Sequence, residues 1–278
     1  MSGTEQFDLD AYLRRIGGPG ARRADLATLR SLHLAHVRAI PFENLDALRR
    51  EPPSLDIGDI TAKLVDSRRG GYCYEHNLLF EHVLRSLGFR VTRLAARVVA
   101  GADADAYERR PRTHMALLVG VPGDPRPYLA DVGFGPGTLR EPAPLADGAE
   151  FRHGVRLNRL VRLPHEGPLE QWSYQEHTGG DGGTWTDQYL FTLEPFERSD
   201  YEVFNWYVGA HPRSPFTRRV YAHRSAADRD LLLDGALLTE THADGTVKER
   251  RLLSEREARR VLDEEFGIAV PEGTALPM

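Results

Sequence analysis

The sequence predicts an α+β protein in three successive parts, because the hydrophobic pattern changes twice along its 278 residues. Apolar positions recur at helical spacing in residues 1–88, and short strand-like runs separated by turn residues fill residues 89–199. Residues 200–278 mix both patterns. A chain of this length is too long for most single cores. We therefore expect a helical lobe, a β lobe and an α/β lobe.

Two helices open the first part, each begun by an aspartate that can accept hydrogen bonds from free backbone N–H groups. Asp8 opens the first helix, which ends in a glycine-rich segment, and Asp25 opens the second, which Pro41 ends. The second helix is expected to turn its leucines inward and to carry His33 and His36 on a polar face.

Two further helices are predicted before the first boundary. A short one covers residues 57–64, and a longer one covers residues 73–87 between the Gly70-Gly71 pair and Gly88. The inward-facing apolar residues of the longer helix are Leu78, Leu79, Val83 and Leu87.

The middle part contains a series of strand-like runs, and the spacing of its turns is typical of a small barrel or sandwich. The runs cover residues 89–99, 114–121, 128–132, 155–163, 169–176 and 185–193. In the last part, a helix is predicted over residues 200–208 and a hairpin over residues 236–253. Ser254 opens a final helix that Gly267 ends.

Composition and charge narrow the range of functions. The net charge is −5 and acidic and basic residues are interspersed, so we expect neither a nucleic-acid nor a membrane partner. No apolar run approaches the roughly 18 residues that span a bilayer. The N-terminus lacks the basic and apolar segments of a signal peptide. We therefore expect a cytoplasmic protein, and the composition leaves a homo-oligomer open.

The single cysteine, Cys73, narrows the chemistry more than any other residue. It excludes an intrachain disulfide framework, and the histidines lack the spacing of a ligand set, so we expect no metal. Its place at the start of a predicted helix favours the thiolate anion, because free N–H groups and the helix dipole stabilise negative charge there. Its own N–H can help to form an oxyanion hole.

Eleven histidines are candidate partners for the Cys73 thiolate. His114 opens an apolar strand, which would hold its imidazole on rigid structure. His76 lies three residues after Cys73 in the same helix and stays an alternative. Asp131 lies in another apolar run, where a carboxylate without a partner would cost stability. A histidine from a neighbouring strand would satisfy Asp131, and the carboxylate would fix the histidine tautomer, as in a catalytic triad.

Residues 69–77, Arg-Gly-Gly-Tyr-Cys-Tyr-Glu-His-Asn, resemble the nucleophile motif of the arylamine N-acetyltransferases. Further segments are similar to the same family: Ile-Pro-Phe-Glu-Asn-Leu at 40–45, Thr-His at 113–114, Asp-Val-Gly-Phe-Gly at 131–135 and His-Pro-Arg-Ser-Pro-Phe at 211–216. The resemblance extends over residues 9–268 and therefore covers nearly the whole chain.

The resemblance implies that the three parts are a helical N-terminal lobe, a central antiparallel β-barrel and a C-terminal α/β lid. It implies a ping-pong acyltransferase with acetyl-CoA as co-substrate and a role in xenobiotic metabolism. By position, Cys73 is the implied acetyl carrier, His114 the base and Asp131 the orienting acid. The implied acceptor is a small arylamine, arylhydrazine or N-hydroxyarylamine.

The resemblance also implies ligand contacts. The positions that match the cleft for the CoA pantetheine arm and the acceptor are Thr113, Gly133, Phe134 and Gly135. The aromatic residues implied to contact the acceptor, since flat rings suit an arylamine, are Phe42, Phe134 and Phe216. Core packing is the alternative for these rings. Glu43 and Arg69 are expected to form a structural ion pair beneath the nucleophile.

Three other functions stay open at this point. An amide synthase would take a carrier-bound polyketide acyl chain onto Cys73 and close a macrolactam on a tethered aromatic amine. A cysteine hydrolase or transglutaminase-like enzyme would share the order Cys, His, Asp. An inactive binding module is the third, and the intact set of three residues argues against it. Residues 220–251, where a donor-binding surface would lie, do not reveal the donor.

Overall fold

The computed structural model describes residues 7–18, 20, 22–153, 156–164, 166–178 and 182–278. Residues 1–6, on which the expected absence of a signal peptide depends, and residue 155, the expected start of a strand, lie outside this description. Among the helices it contains, none combines the length and apolar character needed to cross a bilayer.

Helices make up most of the first part, and their bounds follow the predicted caps. They are α1 (Leu9–Ile16), α2 (Leu26–Ala39), α3 (Leu45–Leu48), α4 (Ile57–Thr61) and α5 (Cys73–Ser86), with a π-helical turn at Ala62–Asp66. Asp8 and Asp25 accept hydrogen bonds from the first turns of α1 and α2, as predicted. Gly17 ends α1 in the left-handed conformation, with φ of 58°.

The inner face of α2 differs from the prediction. His33 and His36, which the sequence placed on a polar face, are fully buried. Each ring has a hydrogen-bond partner inside the protein: His36 bonds to Tyr12, and His33 Nε2 accepts a hydrogen bond from the Asp131 backbone N–H at 3.2 Å. Buried polar groups are tolerated when they are paired in this way. These partners come from distant segments, so helical spacing alone could not reveal the burial.

The middle part is an eight-stranded antiparallel sheet. Its strands are β2 (Arg90–Val98), β3 (His114–Gly120), β4 (Pro127–Ala130), β5 (Ala143–Pro144), β6 (Ala149–His153), β7 (Arg156–Leu163), β8 (Gln171–Thr178) and β9 (Thr184–Thr192). The order β5-β4-β3-β2-β9-β8-β7-β6 forms a nearly closed barrel, which confirms the predicted antiparallel architecture. Asp131 follows β4 directly and does not lie within it.

The last part contains a second antiparallel sheet and two helices. The strands are β1 (Phe42–Glu43), β10 (Tyr221–Ser225), β11 (Arg229–Asp234), β12 (Leu237–His242) and β13 (Val247–Arg251), and they are paired in that order. The helices are α6 (Arg198–Ala210) and α7 (Glu255–Glu264). The pairing of β12 with β13 confirms the predicted hairpin. Strand β1 lies in the first part of the sequence but pairs with β10 in the last part, so this sheet crosses the predicted boundaries. The division into three lobes at residues 88 and 199 therefore stays a prediction.

Candidate active site

The turn that leads into α5 requires glycine because other chain segments approach it closely. A Cβ atom at Gly70 would lie 1.9 Å from the Pro41 carbonyl oxygen, and one at Gly71 would lie 2.6 Å from Glu75 Oε2. Cys73 then begins α5. The first N–H groups of a helix have no partner within the helix, so they are available to stabilise an anion at this position.

A buried ion pair supports this turn from below, as the sequence predicted. Arg69 Nε donates to Glu43 Oε1 at 2.7 Å, and a terminal guanidinium nitrogen donates to Asp46 at 3.0 Å. The Glu43 side chain is fully buried and that of Arg69 is 13% exposed. Burial alone would lower the pKa of Arg69, but the two carboxylates raise it above its usual value.

The same cluster holds the start of the nucleophile helix. Lys63 Nζ lies 2.5 Å from Asp46 and 2.6 Å from Glu75. The other Glu75 oxygen accepts the backbone N–H of Tyr72 at 3.0 Å, and Tyr72 is the N-cap residue of α5. The charge cluster and the position of Cys73 are therefore mechanically linked.

Exchanging Arg69 for alanine is expected to lower the free energy of unfolding by about 3–5 kcal/mol, because it removes the guanidinium that pairs directly with the buried Glu43 carboxylate. The measurement is chemical denaturation of Arg69→Ala beside Arg68→Ala. The Arg68 side chain is 63% exposed and pairs with Asp263, so its loss should change stability by less than about 0.5 kcal/mol. A soluble, stable Arg69→Ala without activity would contradict the structural role.

Cys73, His114 and Asp131 come together in the order that a catalytic triad requires. His114 Nε2 lies 2.7 Å from Asp131 Oδ2. The Cys73 side chain lies near the imidazole and contributes to the raised pKa of His114. With Nε2 facing Asp131, the remaining ring nitrogen is Nδ1. The Cys73 Sγ lies 3.7 Å from the carbonyl oxygen of Thr113. All three side chains are almost completely buried.

Asp131 is held on several sides. Its Oδ1 accepts hydrogen bonds from Asn77 Nδ2 at 3.1 Å and from the Gly133 N–H at 3.0 Å. Asn77 also donates to the carbonyl oxygen of Met115, next to His114 in β3. Asn77 was not singled out in the sequence. Its place in the motif of residues 69–77, one helical turn after Cys73, was the feature of the sequence that could have indicated its role.

The electrostatics of the pair favour an imidazolium. Burial alone would lower the pKa of His114, but Asp131 and the Cys73 side chain raise it to about 10. Burial would raise the pKa of Asp131, but His114, Asn77 and the Gly133 N–H hold it below its usual value. The arrangement can therefore hold a positive charge beside the sulfur, which is the condition for a reactive thiolate.

Cys73 and His114 line a cleft of about 610 Å³. Most of the implied ligand contacts also line it, namely Phe42, Thr113, Gly133, Phe134 and Phe216. Gly135 does not line this cleft. It takes the left-handed conformation with φ of 86° and lies against the ring of Phe42, and the chain returns to the cleft wall at Pro136 and Gly137.

An aromatic cluster forms one wall of the cleft. The ring centroids of Phe42 and Phe216 are 5.8 Å apart, and that of Tyr221 lies 5.7 Å from Phe216. Phe134 lies in the same cleft and meets the His114 ring edge to face at 5.0 Å. Tyr221, in β10, was not anticipated because no helix or strand pattern linked it to the nucleophile. Within the described ranges, no group of His, Cys, Asp or Glu is arranged to hold a metal ion.

His76, the alternative partner for Cys73, has other bonds. Its Nδ1 lies 2.9 Å from His36 Nε2, and its Nε2 lies 3.2 Å from the Pro41 carbonyl oxygen. His114 is therefore the histidine that the structure brings to the sulfur.

Comparison with known proteins shows the family of the chain. A family model described as N-acetyltransferase matches residues 25–275. An arylamine N-acetyltransferase of Mycolicibacterium smegmatis is 41% identical over 265 residues, which cover 94% of this chain and 92% of the relative. The chain belongs to the arylamine N-acetyltransferase family. A Salmonella typhimurium relative named arylamine N-acetyltransferase / N-hydroxyarylamine O-acetyltransferase is 35% identical, with coverage of 94% and 89%.

A solved structure extends the comparison to the fold. The Mycobacterium marinum arylamine N-acetyltransferase in complex with CoA superposes with a TM-score of 0.86 at 38% identity, covering 94% of this chain and 93% of that one. The α+β fold predicted for this arylamine N-acetyltransferase family member is therefore confirmed. The family membership that residues 69–77 predicted is confirmed as well.

Proposed function

We propose that this member of the family transfers an acetyl group from acetyl-CoA, through a thioester on Cys73, to arylamines, arylhydrazines or N-hydroxyarylamines. The observation that supports the proposal is that Cys73 and His114 line one cleft of about 610 Å³, while Asp131 binds His114 at 2.7 Å from behind. Cys73 is the nucleophile, His114 the acid and base, and Asp131 the group that orients the imidazole. We propose the cytoplasm as its location, since a reducing compartment keeps the thiol free.

In the first half-reaction, the Cys73 thiolate attacks the acetyl carbonyl carbon of acetyl-CoA. The carbonyl oxygen becomes negatively charged in the intermediate, and the Cys73 N–H is a suitable donor to it. The carbon–sulfur bond to CoA then breaks. The His114 imidazolium gives its proton to the departing CoA sulfur, so neutral His114 and acetylated Cys73 remain.

In the second half-reaction, the amine nitrogen attacks the thioester carbon on Cys73. His114, now neutral, takes the proton that the nitrogen loses. The carbon–sulfur bond to Cys73 breaks, which releases the acetylated amine and restores the thiolate beside an imidazolium. The Asp131 carboxylate stabilises that cation and keeps one ring nitrogen directed at the sulfur.

The charge of the cleft supports CoA as the donor. Its lining contains four arginines and one glutamate, namely Arg110, Arg156, Arg213, Arg219 and Glu176. Arg156 and Arg219 are paired with carboxylates, so among the described residues Arg110 and Arg213 are the arginines of the lining that can attract the phosphates of CoA. The CoA complex of the Mycobacterium marinum relative adds support. We propose that Thr113, Gly133 and Phe134 contact the donor and that Phe42, Phe134 and Phe216 contact the aromatic acceptor. Gly135 lies outside the cleft lining, against the Phe42 ring, so we propose no donor contact for it.

Initial-rate kinetics with both substrates varied test the order of the reaction. Because one site must release CoA before the amine reacts, double-reciprocal plots at several arylamine concentrations should be parallel. Lines that intersect would indicate a complex of enzyme with both substrates and would overturn the thioester mechanism.

A further inference from the structure

A chain of buried hydrogen bonds crosses the helical part and ends beside the acceptor wall. Tyr12, in α1, bonds through its hydroxyl to His36 Nδ1 at 2.9 Å. His36 Nε2, in α2, lies 2.9 Å from His76 Nδ1, and His76 Nε2, in α5, lies 3.2 Å from the carbonyl oxygen of Pro41. The three side chains are at most 1% exposed. None of them belongs to the group Cys73, His114 and Asp131.

The chemistry of its last member gives this chain one direction. The Pro41 carbonyl can only accept a hydrogen bond, so His76 must carry its proton on Nε2. His76 Nδ1 is then an acceptor, which requires His36 to donate from Nε2 and to accept at Nδ1 from Tyr12. Each neutral ring has one donor and one acceptor, so every group is satisfied. Any other neutral tautomer would place two lone pairs or two protons against each other in a buried site.

The end of the chain contacts the wall of the active-site cleft. Pro41 precedes Phe42, which lines the cleft together with Cys73. The Phe42 ring also lies parallel to the His76 ring, at 7° between the planes and 6.3 Å between the centroids. His76 therefore touches this segment twice, through the Pro41 carbonyl and through the Phe42 ring.

We propose that His36 and His76 are positioning residues for the aromatic acceptor, and that they act by holding Phe42 through this directed chain. The inference rests on the proposed function, since the acceptor is the arylamine of the second half-reaction. His114 and Asp131 have their own supports in Asn77 and His33. Loss of this chain of hydrogen bonds should therefore weaken binding of the amine and leave acetylation of Cys73 unchanged.

The tautomers are measurable without turnover. In protein labelled with ¹⁵N-histidine, two-bond correlation spectra at neutral pH should show His36 and His76 as neutral rings protonated at Nε2. Assignment uses the variants His36→Gln and His76→Gln. An Nδ1-protonated ring or an imidazolium at either position would overturn the directed chain.

Kinetics test the positioning role. His36→Phe keeps a ring of similar size and removes both hydrogen bonds. We expect the Michaelis constant for an arylamine such as aniline to rise about five- to tenfold, the equivalent of one lost hydrogen bond. The rate constant for acetylation by acetyl-CoA should stay within about twofold. His36→Gln has an amide that can both accept and donate a hydrogen bond, so it should restore the Michaelis constant for the arylamine.

His82→Phe is the matched control, because His82 lies in the same helix as His76 and is not part of the chain of hydrogen bonds. It should change neither constant. Equal losses in acetylation and amine capture for folded His36→Phe, or an unchanged amine constant, would overturn the proposal. Failure of the wild-type protein to be acetylated would instead contradict the proposed function. The tautomer measurement would still show whether the hydrogen bonds through His36 and His76 run in the proposed direction.

Discussion

Replacement of Cys73 by serine is expected to abolish acetyl transfer and leave the fold intact. Serine is nearly isosteric, and the contact of the sulfur with the Thr113 carbonyl is weak, at 3.7 Å, so packing should not change. A hydroxyl does not ionise beside the imidazole of His114 as a thiol does. We expect turnover to fall by roughly 10⁴-fold or more, as for other covalent nucleophiles.

The measurement for Cys73→Ser is steady-state turnover with acetyl-CoA and an arylamine, beside thermal unfolding of the same preparation. The unfolding temperature should match that of the wild type. Since the chain has a single cysteine, residual activity cannot come from another thiol. Near-normal turnover of the serine variant would sink the thioester mechanism.

Replacement of Asp131 by asparagine is expected to lower kcat by about 10⁴-fold, the size of effect known for triad acids. The amide keeps the volume of the carboxylate and removes its charge. Without that charge, burial lowers the pKa of His114 from its value of about 10, so the imidazolium beside Cys73 is lost. Asp124→Asn is the matched control: Asp124 lies just before β4, bonds to Arg126 and Tyr128, and does not line the cleft. Normal activity of Asp131→Asn would contradict the assigned role.

The difference in the free energy of unfolding between the wild type and Asp131→Asn should depend on pH. The raised pKa of His114 contributes stability that is fully present below its ordinary value of 6.5 and is lost as the pH rises through about 10. The lowered pKa of Asp131 contributes stability that is present above 3.8 and is lost as the pH falls. The wild type should exceed the variant most between pH 3.8 and 6.5, measured by urea unfolding. A difference that grows toward pH 10 would contradict the charged pair.

Local sequence signals were sufficient for most of the helices and strands. The aspartate caps of α1 and α2, the glycine pair before α5 and the hairpin of β12 and β13 all depend on residues close in the chain. The two-residue strand β1 was missed, because its pairing with β10 joins distant segments: Phe42 opposes His223, which follows it by 181 residues. Short strands of this kind have no periodicity to detect.

The candidate site shows the same contrast between local and distant information. His114 and Asp131 were predicted because each is a polar residue in an apolar run, and Cys73 because it is the single cysteine, placed at a helix start after a glycine pair. His33 and His36 were assigned to the wrong face of α2, since their burial depends on Tyr12, His76 and the backbone of residue 131. The role of Asn77 and the place of Tyr221 in the cleft likewise require the tertiary structure.

The most direct test of the account is the intact mass of the protein after brief mixing with acetyl-CoA and no amine, beside Cys73→Ser. The thioester mechanism predicts one acetyl adduct on the wild type, none on the variant, and discharge of the adduct by an arylamine. A folded protein with a reactive thiol that gains no adduct would contradict acetyl-CoA as the donor. That result would favour a carrier-bound acyl chain, as an amide synthase uses.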